Sequence, residues 1–148
     1  GEGWELQDFL LVSFIQKLFL CEYGTFDTQG TIGRGVSNLP SGNGNESLKT
    51  GQTSHLGNKS GMADGVDGEV SVSYRGIENF WGNIWKWVDG INIKNNIPYV
   101  ADHNFISDKF DGHYKKLGVK LSDRNGYVKE LAFSNPFSFG FLPLSVGG

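Results

Sequence analysis

Apolar residues recur every three to four positions from about Glu5 to Tyr23. Leu6, Phe9, Leu10, Phe14, Ile15 and Leu18 share one helical face, and Leu11, Val12, Phe19 and Leu20 widen it. Ser13, Gln16 and Lys17 occupy the remaining side, and Gly24 supplies a stop. The pattern predicts a buried amphipathic helix backing a sheet. The period then changes to two. Glu69 to Tyr74 alternates, with Val70 and Val72 on one side and Ser71 and Ser73 on the other, which predicts a short strand. Arg75 to Trp81 is expected to make one helical turn. Trp85 to Ile93 is expected to form a strand, with Asp89-Gly90 as either a bulge or a hairpin turn and Pro98 to Ala101 extending the sheet. Farther on, Tyr114–Leu121 and Tyr127–Phe133 flank Asn125-Gly126, a hairpin signal.

Between helix and strands, Thr25 to Gly68 is polar and glycine-rich. A structureless loop of that length is unusual inside a domain and tends to be functional or mobile. Ile32, Val36, Leu56 and Met62 are spaced to pin it to a core, with the glycines supplying tight turns. At the other end, Phe137 to Leu144 is too apolar for a solvent-facing tail, so it is expected to pack in the core or against a neighbouring subunit.

Composition sharpens this outline. The 148 residues fit one domain spanning 1–148, and 22 glycines beside 11 Phe, 5 Tyr and 4 Trp suit a β-rich irregular domain with long loops. A net charge of −3 with interspersed signs offers no basic stripe for a phosphate backbone, so nucleic acid is not an expected partner. The lone Cys21 excludes an internal disulfide. Gln7, Asp8, Ser13, Gln16 and Lys17 interrupt the apolar run 6–21, so membrane insertion is not expected, and no basic region precedes a cleavage site of the signal-peptide type.

Three of the four tryptophans, Trp81, Trp85 and Trp87, lie within seven positions around Gly82-Asn83. In extended backbone, Trp85 and Trp87 share one face while Ile84, Lys86 and Val88 share the other. With both faces mostly apolar, the three indoles are expected to fill a core as scaffold residues.

The run Gly82-Asn-Ile-Trp-Lys-Trp-Val-Asp89 resembles the tryptophan signature of formylglycine-generating-enzyme-like domains, which have a C-type-lectin-type fold. Together with Leu20-Cys-Glu-Tyr-Gly24 and Ile32-Gly-Arg-Gly35, the segment from Tyr74 to Ile93 resembles phage tail and adhesin proteins on the same scaffold, some with a retroelement-diversified C-terminal region. The resemblance runs from about Trp4 to Gly148. It implies an α+β, C-type-lectin-like domain with one main N-terminal helix, short antiparallel strands and long Gly-rich loops. It further implies a non-enzymatic virion protein that holds other virion subunits, forms a homotrimer, and scaffolds recognition of a host cell-surface protein or glycan. The sequence stops near where the variable region would begin, so it is expected to carry scaffold and little of the binding face. The enzymes of the family use a late cysteine pair. Cys21 matches neither position, so oxidase activity does not carry over. The alternatives are a purely structural virion subunit, or an enzyme of this group with other chemistry.

Candidate chemistry is sparse. His55, His103 and His113 lack metal-site spacing. Asp64, Asp67, Asp102, Asp108 and Asp111 sit in loop-like segments and could take a structural calcium, although no calcium-loop motif fits and solvated turn acids are the simpler reading. Otherwise no cofactor is expected. Gly51 to Ser60 has the look of a phosphate loop, but Asn58 precedes Lys59 and the spacing is wrong, so it reads as turn chemistry. Tyr99, Tyr114 and Tyr127 are the candidate ligand contacts, because aromatic faces are rigid and adaptable contact material, against a plainer reading as half-buried strand residues.

Overall fold

Asp8 starts the main helix. Its carboxylate accepts from the Leu11 N–H at 2.7 Å, capping α1, Phe9–Tyr23. Gly24 ends it in the left-handed conformation (φ 67°), its N–H reaching the Leu20 carbonyl at 2.8 Å. The computed structural model describes residues 3–43, 45–133 and 141–147. It is an α+β chain with one main helix and several short antiparallel sheets. Within the span 1–148, residues group into two compact units: 1–24 with 87–148, and 25–86.

In the first unit, α1 enters through a bridge between Asp8 and Asp89. Phe9 N–H donates to the Asp89 carbonyl (2.7 Å) and Asp89 N–H to the Gln7 carbonyl (2.9 Å). The helix turns Phe9, Ser13, Ile15 and Phe19 inward. This corrects the expected face, since Ser13 is fully buried while Phe14 is 60% exposed, and Leu11 and Cys21 are also exposed. With apolar groups around most of its circumference, the helix does not announce from sequence which side turns in.

Phe9 packs with Val100, Leu117 and Leu142, and Val88, Ile91, Val119 and Leu121 close around them. The sheet beneath runs β4 (Ile91–Lys94), β5 (Ile97–Val100) and β6 (Lys115–Lys116), all antiparallel. The β4–β5 hairpin turns on Asn95-Asn96, both at positive φ (53° and 62°). Two consecutive left-handed residues match the strand twist, and asparagine is among the few residues that tolerate them. The turn is therefore not at Asp89-Gly90, and the strand starts at Ile91 rather than Trp85.

β7 (Tyr127–Phe133) pairs with β8 (Phe141–Gly147), not with 114–121 as the Asn125-Gly126 signal suggested. The reason is prior engagement: Leu117 and Leu121 N–H groups already donate to the Pro98 and Asn96 carbonyls along the other hairpin. Of the apolar run 137–144, Leu142 enters the core and Leu144 is exposed, while 137–140 fall outside the described residues.

The second unit turns the glycine-rich stretch into ordered structure. A short helix α2 (Thr28–Thr31) is capped by Asp27, and a 3-10 turn covers Ser54–Leu56. A three-stranded sheet follows: β1 (Gly61–Met62), β2 (Val72–Tyr74) and β3 (Ile77–Glu78). Val36 is buried, and Ile32, Leu56 and Met62 are half-buried, pinning the excursion as their spacing suggested. β2 is central and buried on both faces, with Ser73 and the preceding Ser71 included. Asn79 makes that burial tolerable: its Oδ1 accepts from Val72 N–H (3.2 Å) and its Nδ2 donates to Ser71 Oγ (3.0 Å). Arg75-Gly76, both at positive φ, form the β2–β3 turn where a helical turn was expected.

Candidate functional site

Gly82 (φ 73°) and Asn83 (φ 69°) are two successive left-handed residues, and they stop the tryptophan run from forming a strand. Gly82 is also sterically required, because a Cβ there would meet Val36 N at 3.0 Å and Gly35 Cα at 3.2 Å. Asn83 locks the break, its N–H donating to the Val36 carbonyl (2.9 Å) and its Oδ1 accepting from Leu48 N–H (3.0 Å). The three indoles part company at this point. Trp81 is half-buried and its Nε1–H donates to the Gly33 carbonyl at 2.9 Å. Trp85 and Trp87 are 98% and 84% exposed. The expectation of a core triad is corrected to one half-buried indole and two outward ones, because the segment carrying the latter two is irregular and does not enter a sheet.

Trp87 borders a cleft of about 300 Å³ in the first unit, lined among others by Leu6, Asp89, Asn92, Phe105, Ile106, Ser107 and Tyr114. Its polar groups are fixed by the loop around them. Asn92 Nδ2 donates to the Ile106 and Lys109 carbonyls, both at 2.9 Å, and Tyr114 Oη accepts from Ile106 N–H at 2.8 Å. Of the tyrosines named from sequence, buried Tyr114 thus reaches a cleft. Tyr99 is half-buried against Phe110, edge to face with centroids 5.2 Å apart. Tyr127 opens β7, and its side chain lies outside the described residues.

A second cleft of about 380 Å³, in the other unit, is lined by Thr50, Thr53, Ser54, Glu78, Ile84 and Lys86, among others. Its floor explains the phosphate-loop look of 51–60. Backbone N–H groups of Gly51 and Thr53 do bind an anion, and it is the Glu78 carboxylate (2.7 Å each), which also accepts from Thr53 Oγ1 at 2.6 Å. Desolvation of the carboxylate opposes its charged form, but the three donors outweigh it and hold its pKa below the usual glutamate range. Lys86 Nζ donates to the Gly82 and Ile84 carbonyls (3.1 and 3.4 Å), and desolvation lowers its pKa.

Among the described residues, no group of three or more His, Cys, Asp and Glu side chains gathers to hold a metal ion. The acids considered for calcium take other roles. Asp67 accepts from Arg34 N–H at 2.7 Å, Asp102 pairs with His103, and Asp111 pairs with Lys109 at 3.0 Å. Asp64 and Asp108 are exposed. His103 and His113 stack with centroids 5.1 Å apart, a proximity that ten residues of spacing did not signal. No helix among the described residues is long and apolar enough to cross a membrane.

No family model, curated protein or solved structure matches the chain.

Proposed function

We propose that this chain is a non-enzymatic recognition scaffold of the phage tail adhesin type, with a C-type-lectin-like fold, that binds a protein or glycan on a host cell surface from its place in a virion. The observation that carries this reading is the outward turn of Trp85 and Trp87. Large rigid aromatic faces left in water have a cost that a binding partner removes, and they are the side chains that most often anchor interfaces. Here they sit in an irregular segment held by ordered neighbours, the arrangement by which loops on a scaffold recognise ligands. Several copies on one particle would strengthen weak single contacts.

The test is adsorption of fluorescently labelled chain to a panel of bacterial strains. The reading predicts saturable adsorption to a subset of strains, weakened about tenfold or more by Trp87→Ala. Absence of saturable adsorption throughout the panel, or adsorption indifferent to Trp87→Ala, would contradict it.

Exposed Leu11 and Phe14 on α1 favour a second, compatible role in subunit contact within a homotrimer. Sedimentation of the chain would then give a trimer, and Phe14→Ser would shift it to monomer.

A further inference from the structure

We propose that the Trp87 cleft binds an organic cation, an ammonium or guanidinium group presented by the ligand. The inference deepens the recognition reading above and rests on it. Three observations select the ligand class. First, the cleft has an aromatic rim: the Trp87 indole is 84% exposed, and Tyr114 and Phe105 stand in the same lining. Indole is the side chain whose face attracts cations most strongly.

Second, the polar groups of the lining mostly accept hydrogen bonds. Both Asn92 amide protons are engaged by the Ile106 and Lys109 carbonyls, which leaves its Oδ1 as acceptor. Asp89 uses its backbone in the bridge to Asp8, and its carboxylate has no partner among the described residues. The Ser107 and Tyr114 hydroxyls and the Trp87 indole N–H can donate.

Third, the lining contains one acid and neither lysine nor arginine. One acidic side chain and one exposed indole in the same lining are the two groups that favour a cation.

The experiment titrates the intact chain by calorimetry and tryptophan fluorescence with choline, its neutral isostere 3,3-dimethylbutan-1-ol, N-acetylarginine amide and methyl glucoside. At least one of the two cations is expected to bind about tenfold or more tightly than the isostere and the glucoside. The tighter cation tells a quaternary ammonium source from a basic side chain. Trp87→Ala and Asp89→Asn are each expected to remove most of that preference, and the isosteric Asp89→Asn decides the matter if Trp87→Ala fails to fold. Equal binding of choline and its isostere, tighter binding of the glucoside, or full cation binding by Asp89→Asn would overturn the proposal. Adsorption to cells without cation affinity would remove this inference and leave the recognition reading standing.

Discussion

At Glu78, one side chain organises a loop that lies more than twenty residues earlier in the chain. Its carboxylate is held charged by Thr53 and Gly51, so its folded pKa lies below the ~4.3 of an unfolded glutamate. A depressed carboxylate contributes stability that is present above the unfolded value and lost as pH falls through the folded one. Amide hydrogen exchange should therefore show Gly51 and Thr53 protected at neutral pH and losing protection as pH falls below the ordinary glutamate range, while Glu78→Gln should expose both at any pH. Ser13 makes the opposite point. Its buried hydroxyl has no hydrogen-bond partner among the described residues, so Ser13→Ala removes an unsatisfied group and improves helix propensity. Chemical denaturation should find that variant more stable by about 1 kcal/mol. Neither residue was legible from sequence: Glu78 because its donors are remote, and Ser13 because a lone serine in an apolar helix reads as its polar side.

At the scale of elements, the presence of the main helix was readable, while its start, the start of the strand after the tryptophan run and the pairing of β7 were not. The helix was visible in its period, and its true start follows from Asp8, whose side chain can cap only the turn beginning at Phe9. Pro98 to Ala101 was expected to extend the sheet and does so as β5, but the β4–β5 turn lies at Asn95-Asn96, a weaker signal than Asp89-Gly90. β7 found β8 because its expected partner was already bonded along β5. The decisive element is the break at Gly82-Asn83, which separates Trp81 from Trp85 and Trp87. Gly82→Ala combines a disfavoured positive φ with backbone contacts near 3.0 Å, and should cost about 1–3 kcal/mol in a denaturant titration.

At the scale of the molecule, the α+β composition of one main helix and short antiparallel sheets was legible. The clefts were not. Trp87 meets Phe105 and Tyr114 only through the fold, and nothing in a two-residue period tells an indole that fills a core from one that faces water. The central claim is that the run divides in this way, leaving Trp85 and Trp87 for a partner. Thermal unfolding of Trp81→Ala beside the double variant Trp85→Ala/Trp87→Ala tests it most directly. Trp81→Ala loses packing and the bond to Gly33, and should lose about 2–4 kcal/mol, a Tm fall of roughly 5–15 °C. The double variant should stay within about 1 kcal/mol of the parent chain. A fall in the double variant as large as that of Trp81→Ala would place those indoles in the core and contradict the account.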